Sequence, residues 1–198
     1  MRKKLSKLKA NKASGPDNVS INVLRQCPDL DKPLQILFNQ SIQSSSVPQD
    51  WRDANISPIF KKGSRSKVGN YRPVSLTSQV VKLLERLIYD ELISLAAKNG
   101  TISCDQHGFQ DGCSCVTQLL ECLNDWTESY EAGIQSDIVY LDFAKAFDTV
   151  PHNRLLLKLK ANGIRGKVLR WISAFLSNRR QSRAEGTTKK WDLQVRKS

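Results

Sequence analysis

Residues 79–98 carry the pattern that most constrains the fold of this chain. Apolar side chains recur there at intervals of three and four residues, at Val80, Leu83, Leu84, Leu87, Ile88 and Leu92, and Gly100 follows. Such spacing forms the apolar face of an α-helix, and a glycine is typical just beyond the last turn. The pattern predicts a helix from about Gln79 to Lys98. A chain of 198 residues is long enough to bury that face in a hydrophobic core.

Shorter helices are predicted on both sides of the long one. We expect a helix that starts after Asn18 or Ser20, and a second over residues 34–43 that ends at the serines and Pro48 that follow. Others are predicted from an N-cap at Ser114 to before Gly133, and over residues 155–160 and 167–176.

A hairpin is predicted between the second helix and the long helix. Ile56, Ile59 and Phe60 indicate a strand, and Pro58 favours an edge position because proline cannot donate to a neighbouring strand. Residues 61–72 contain five basic residues and no acidic ones, with two glycines. The simplest interpretation is a basic β-hairpin with a mobile tip. Two weak strands are also expected from Arg179 onward.

The positive charge of the chain lies at its two ends. The formal net charge is +12, yet residues 13–153 carry a net −5. Residues 1–12 hold six basic residues and no acidic ones, and residues 154–198 hold thirteen against two. Positive charge gathered in this way indicates a polyanionic partner, most often nucleic acid. A solvated basic surface without a partner is the alternative.

The sequence predicts neither a membrane protein nor a secreted one. No apolar run approaches 18 residues, and no secretion signal opens the chain. Five cysteines at irregular spacing fit reduced thiols, so we expect an intracellular protein, nuclear or cytoplasmic. Cys104, Cys113 and Cys115 lie near His107, but their spacing is not typical of structural zinc.

Residues 138–148 combine an apolar run with two carboxylates. Residues 138–141 predict a short buried strand that ends at Asp142, and Phe147 and Asp148 follow. A rigidly held carboxylate needs a compensating cation or hydrogen-bond donor, and Mg²⁺ is a natural one. The pattern also fits a strand followed by an Asp-rich turn that binds nothing.

Five segments resemble, in order and spacing, motifs of reverse transcriptases from retrotransposons without long terminal repeats, the LINE or jockey-like type. They are residues 12–17 (Lys-Ala-Ser-Gly-Pro-Asp), 70–76 (Asn-Tyr-Arg-Pro-Val-Ser-Leu), 106–109 (Gln-His-Gly-Phe), 139–152 and 171–181. Ser14 stands where the family more usually has proline, and the segment at 106–109 packs against the template side in that family. The chain is identified by this resemblance as a member of the family.

The resemblance implies a catalytic and metal-binding role for Asp142. In the family, the aspartate at this place binds both Mg²⁺ ions, and the backbone carbonyl of the next residue, here Phe143, is a further ligand. Asp148 belongs to the motif but would be structural.

The resemblance also implies a binding site for a deoxynucleoside triphosphate (dNTP). Arg72 and either Lys61 or Lys62 would contact the triphosphate, and the sequence leaves open which lysine does so. Phe147 resembles the aromatic residue that excludes a ribose 2′-hydroxyl. An RNA template and a DNA primer would be the other partners, and the resemblance leaves the oligomeric state open.

The fold expected from the resemblance is α+β, an incomplete right-hand polymerase fold. Residues 1–136 would form an N-terminal extension and helical fingers with the basic β-hairpin, and residues 137–198 a partial palm sheet. The chain contains no Asp-Asp dipeptide, which supplies the remaining metal ligands in the family. We therefore expect a truncated RNA-directed DNA polymerase domain of a retrotransposon, inactive by itself and binding Mg²⁺ weakly or not at all. The alternative is a non-catalytic basic nucleic-acid-binding protein derived from a retroelement.

Overall fold

The computed structural model describes residues 2–10 and 12–183, which form eight α-helices and three β-strands. The helices are α1 (Arg2–Ser6), α2 (Ile21–Gln26), α3 (Asp31–Ser44), α4 (Gln49–Arg52), α5 (Gln79–Lys98), α6 (Cys115–Glu131), α7 (His152–Ala161) and α8 (Gly166–Leu176). The strands are β1 (Asp53–Phe60), β2 (Tyr71–Thr77) and β3 (Arg180–Arg183). The described residues of Met1–Ile93 and Pro151–Ser198 form a first compact unit, and Ser94–Val150 forms a second.

The hydrophobic core lies in the first unit. Helices α3, α5 and α8 supply most of it, with single side chains from α1, α2, α4 and the loop between α3 and α4: Leu5, Leu24, Leu34, Phe38, Val47, Trp51, Val81, Leu83, Leu84, Trp171 and Phe175. The rings of Trp171 and Phe175 stack with centroids 5.1 Å apart. Burial of apolar side chains away from water is the main favourable contribution to the free energy of folding.

A buried hydrogen bond joins α8 to α3 inside this core. The indole N–H of Trp171 donates to the hydroxyl of Ser41 over 2.9 Å. The same hydroxyl donates to the carbonyl of Ser46 over 2.6 Å, just after Ser45 ends α3 in the left-handed conformation at φ 53°. Ser41 therefore satisfies a buried donor and fixes the end of α3 at the same time.

The three strands form one sheet in the order β2-β1-β3. Strand β2 pairs antiparallel with β1, and β3 pairs parallel with Asp53–Ile56 of β1. The predicted edge position for Pro58 is wrong, since β1 is the central strand. Proline is tolerated there because Pro58 lies opposite Pro73, beyond the last residue of β1 that pairs with β3.

The predicted strand over residues 138–141 is not formed. These residues have no regular secondary structure, and Leu141 is 87% exposed. A strand forms only where a neighbouring strand accepts its backbone hydrogen bonds and an apolar layer covers it. No described strand pairs with this run, so its apolar composition alone does not order it.

The helices are the best-predicted part of the fold. The helix predicted over 79–98 is confirmed as α5, and the N-cap predicted at Ser114 is confirmed by a capping box with Thr117. One of the two weak strands expected near the C-terminus is β3, and residues 184–198 lie outside the described part. Within that part, no helix has the length and apolar character needed to cross a membrane. The architecture is a mixed one of helices and a small three-stranded sheet.

Candidate functional site

The register of the β1–β2 hairpin determines which basic residues share a face. Arg72 lies opposite Ile59, and the ladder continues because the backbone N–H of Lys61 donates to the carbonyl of Asn70 over 2.8 Å. Directly opposite residues lie on one face of a sheet, and side chains alternate along each strand. Lys61 therefore belongs to the face of Arg72, whereas Lys62 follows where the loop begins.

The loop at the tip of the hairpin is closed by its own hydrogen bonds. The side-chain amide of Asn70 donates to the carbonyl of Ser64 over 2.8 Å, and the hydroxyl of Tyr71 donates to the carbonyl of Arg65 over 2.9 Å. Gly63 has φ +81°, and a Cβ there would lie 2.8 Å from the Asn70 amide nitrogen. A glycine is needed at this turn because L-residues rarely adopt such a φ.

Two aromatic rings stiffen the base of this loop. Phe60 and Tyr71 end β1 and begin β2 as an opposite pair, and their rings meet edge to face with centroids 5.5 Å apart. The guanidinium of Arg65 lies 5.2 Å from the centroid of the Phe60 ring. A cation–π contact of this kind holds the loop against the hairpin.

The hairpin presents positive charge without a described acidic partner. In the described part of the chain, ion pairs form only at Arg2, Lys4 and His107. The basic side chains of the hairpin are all exposed and lie outside these pairs: Lys61, Lys62, Arg65, Lys67 and Arg72. Unneutralised, exposed cations attract anions such as phosphate groups.

The N-terminal motif at residues 12–17 packs against the base of the hairpin. Gly15 lies so close to the chain between β2 and α5 that a Cβ would meet the backbone nitrogen of Ser78 at 2.4 Å and the carbonyl carbon of Thr77 at 2.5 Å. The side-chain amide of Gln79 donates to the carbonyl of Ala13. The small residue in this motif therefore allows two backbone segments to touch.

A half-buried charged pair on α5 was not singled out from the sequence. Burial lowers the pKa of Lys82 below its ordinary value of 10.5, although the charge of Glu85 opposes that change. Burial raises the pKa of Glu85 above 4.5, and the charges of Arg179 and Lys82 oppose it. The guanidinium of Arg179 lies over the ring of Phe175 at 4.7 Å. The signal that could have found this pair is opposite charges three residues apart within an apolar helix.

The predicted residues Asp142, Phe143 and Phe147 all belong to the second unit. Asp142 is exposed, and Phe143 and Phe147 are 82% and 78% exposed. The turn that follows is closed by the carbonyl of Lys145, which accepts from the backbone N–H of Asp148 over 2.9 Å.

The described residues do not assemble a magnesium site. Among them, no group of three or more His, Cys, Asp or Glu side chains could hold a metal ion. Asp142 offers a single carboxylate, and one carboxylate holds Mg²⁺ weakly because the ion dehydrates reluctantly. Of the predicted site residues, the three cations of the hairpin lie in the first unit, and Asp142, Phe143 and Phe147 lie in the second.

Comparison with known sequences identifies the family. The sequence profile of the family described as "Reverse transcriptase (RNA-dependent DNA polymerase)" matches residues 59–195. That span begins inside β1 and includes the hairpin loop, β2, Asp142 and Phe147, so it contains every residue to which the resemblance assigns a role in binding or catalysis.

Individual proteins give the same result. The chain is 31% identical over 152 residues to "Probable RNA-directed DNA polymerase from transposon X-element" of Drosophila melanogaster. It is 32% identical over 158 residues to "RNA-directed DNA polymerase from mobile element jockey" of the same species, and 33% identical over 159 residues to the protein of that name from Drosophila funebris. These alignments cover 76%, 79% and 79% of the chain, and 17% of the length of each relative. The chain belongs to the reverse transcriptase family, as a fragment of the type found in jockey-like retrotransposons without long terminal repeats.

Proposed function

We propose that this chain provides the fingers and the start of the palm of an RNA-directed DNA polymerase. Residues 1–136 would form the fingers and residues 137–198 the start of the palm, in an incomplete right-hand arrangement. The substrates would be dNTPs, an RNA template and a DNA primer. Membership of the reverse transcriptase family and the names of the jockey and X-element relatives support this reaction class.

One observation carries the proposal: the hairpin holds five exposed cations, none of which has an ion-pair partner in the described residues. Phosphoryl transfer asks a protein mainly to position groups and to neutralise charge. A hairpin stiffened by its own hydrogen bonds and by the Phe60–Tyr71 contact can offer cations to a triphosphate at a small entropic cost.

Within the hairpin we assign the triphosphate contacts to Arg72 and Lys61. The ladder register supports Lys61 over Lys62, because Lys61 shares the face of Arg72. A charge-assisted hydrogen bond corresponds to about a 10- to 100-fold change in binding. We expect Lys61→Gln to raise the KM for dNTP about tenfold or more, and Lys62→Gln to raise it less than about threefold. Equal effects of the two substitutions would contradict the assignment.

Asp142 and the carbonyl of Phe143 are the proposed Mg²⁺ ligands that this chain contributes. The other carboxylates would have to come from outside the described residues. Primer extension by the longest natural polypeptide that contains residues 1–198 tests the assignment. We expect Asp142→Asn to abolish extension, and Asp137→Asn, which changes another exposed carboxylate of the same segment, to leave it intact. Extension that survives Asp142→Asn would exclude the role.

Binding of nucleic acid without catalysis is the second candidate function. It is favoured by the same exposed cations, since they need no metal site to bind phosphates. For single-stranded RNA, log K should fall against log salt with a slope of about −0.7 for each phosphate contacted. We expect the 198-residue chain to show such a slope. An affinity that does not change with salt would exclude both candidates, because each needs phosphate contacts.

A further inference from the structure

Two exposed aromatic rings of the second unit meet each other. The rings of Phe109 and Phe147 contact edge to face, with centroids 6.0 Å apart and an angle of 82° between their planes. The two residues are 81% and 78% exposed. Edge-to-face contact is a favourable geometry for aromatic pairs, and it restricts the orientation of both rings.

The backbone at Phe109 adopts a conformation that is rare for its residue type. Its φ is +63°, in the left-handed region, which a bulky residue seldom occupies. Such a conformation persists only where neighbouring contacts hold it, and it turns the chain sharply. Phe109 therefore needs an anchor close by in sequence.

His107 provides that anchor, two residues earlier. Its Nδ1 lies 2.8 Å from the hydroxyl of Thr117, and its Nε2 contacts the carboxylate of Glu121. Thr117 is itself fixed by the capping box of α6, in which its hydroxyl accepts from the backbone N–H of Ser114 over 2.8 Å. Through His107, the segment that carries Phe109 is bound to two successive turns of α6.

Phe147 lies in a turn that is closed locally. The carbonyl of Lys145 accepts from the backbone N–H of Asp148 over 2.9 Å and from that of Thr149 over 3.2 Å. These bonds fix the backbone at Phe147, but they do not orient its exposed ring. The contact with Phe109 supplies that orientation.

We propose that Phe109 is a positioning residue, held by His107, that fixes the ring of Phe147. This inference rests on the proposed function and on the role that the family resemblance implies for Phe147, exclusion of the ribose 2′-hydroxyl of an incoming nucleotide. A ring free to rotate leaves room for that hydroxyl part of the time, so loss of Phe109 lowers selectivity between deoxyribo- and ribonucleotides. Phe109 thus contributes to sugar selection while acting through another residue.

The first test measures the ratio of kcat/KM for a dNTP to that for the matching ribonucleotide, in the longest natural polypeptide that contains residues 1–198. We expect Phe109→Leu, which keeps the apolar bulk but removes the ring, to lower this ratio about 3- to 10-fold, as for loss of one aromatic pair. Phe109→Tyr keeps the ring and should restore the ratio to within about twofold. Tyr130→Leu, which removes an equally exposed ring of α6, should leave the ratio unchanged.

The outcomes separate this inference from the proposed function. If Phe147→Ala lowers the ratio and Phe109→Leu leaves it unchanged, the inference about Phe109 is overturned and the proposed function stands. If Phe147→Ala also leaves the ratio unchanged, Phe147 does not select the sugar, and the inference about Phe109 is overturned as well.

The second test needs no catalysis. In the 198-residue chain with labelled phenylalanine rings, nuclear Overhauser contacts between Phe109 and Phe147 are expected, and His107→Ala should remove them. His107→Ala leaves both residues of the capping box, Ser114 and Thr117, unchanged, so α6 should persist, and circular dichroism checks this. Absence of the ring contact in the parent chain, or its persistence in His107→Ala with α6 intact, would overturn the inference.

Discussion

Replacing Gly15 by alanine tests whether the N-terminal motif is packed against the base of the hairpin. The added Cβ would lie 2.4 Å from the backbone nitrogen of Ser78, 2.5 Å from the carbonyl carbon of Thr77 and 2.7 Å from the Cα of Ser78. All three atoms belong to the backbone, and Ser78 is 0% exposed. No flexible side chain can move aside, so two backbone segments must separate.

The expected loss of stability is the difference between two effects. Extra atoms in a well-packed site typically cost about 1–3 kcal/mol. Replacing glycine by alanine also restricts the unfolded chain, which stabilises the folded state by about 0.4–1 kcal/mol. Because contacts at 2.4–2.7 Å lie far inside normal packing distances, we take the upper part of the first range. Gly15→Ala should lower the free energy of unfolding by about 1–2.5 kcal/mol.

Urea denaturation followed by tryptophan fluorescence measures this change, since Trp51 and Trp171 are both buried in the core. Gly69→Ala is the matched control: a Cβ at Gly69 has no neighbour within 4 Å, and its φ is not in the left-handed region. The control should be neutral or slightly stabilising. If the two variants have equal midpoints and slopes, Gly15 is not in close contact with the chain at residues 77–78, and the N-terminal motif does not pack against the hairpin.

Three further predictions concern the pH dependence, the core and the apolar run. Burial raises the folded-state pKa of Glu85, so its contribution to stability is fully present below pH 4.5 and is lost as the pH rises through the folded-state pKa. The urea midpoint should therefore fall between these two pH values, and Glu85→Gln should make that fall smaller. Ser41→Ala leaves the buried indole N–H of Trp171 without its acceptor and should lower the free energy of unfolding by about 1–3 kcal/mol. In a double-mutant cycle with Trp171→Phe, the effects of the two substitutions should not add, because both remove the same hydrogen bond. Hydrogen exchange at residues 139–141 should be fast in the 198-residue chain, and protection there would indicate a partner strand outside the described residues.

Helices were predictable because their signals are local. The spacing of apolar residues in α5 and the N-cap at Ser114 are contained within single elements, and both predictions are confirmed. The hairpin was predictable for the same reason, since its strands follow each other in sequence and are joined by one loop, residues 61–70, with a glycine at the turn. The central position of β1 was not predictable, because β3 lies about 120 residues later and parallel pairing leaves no local trace.

The cations and the carboxylate of the candidate site differ in the same way: the position of the cations depends on residues nearby in sequence, and that of the carboxylate on distant ones. Its cations are presented by one hairpin whose turn, register and aromatic contacts all lie within residues 53–77, so sequence reasoning located them together. Its carboxylate depends on a strand that needs partners from elsewhere in the chain, and the described residues supply none. Asp142 was therefore identifiable by its neighbours in sequence, whereas the structure around it was not predictable from them. The phosphate binding that we propose for the hairpin would use cations that the hairpin itself already presents, while the proposed metal binding by Asp142 would require a sheet that the described residues do not form. The two properties should accordingly be separable: the isolated chain should bind polyanions through residues 61–72 whether or not it can transfer a nucleotide.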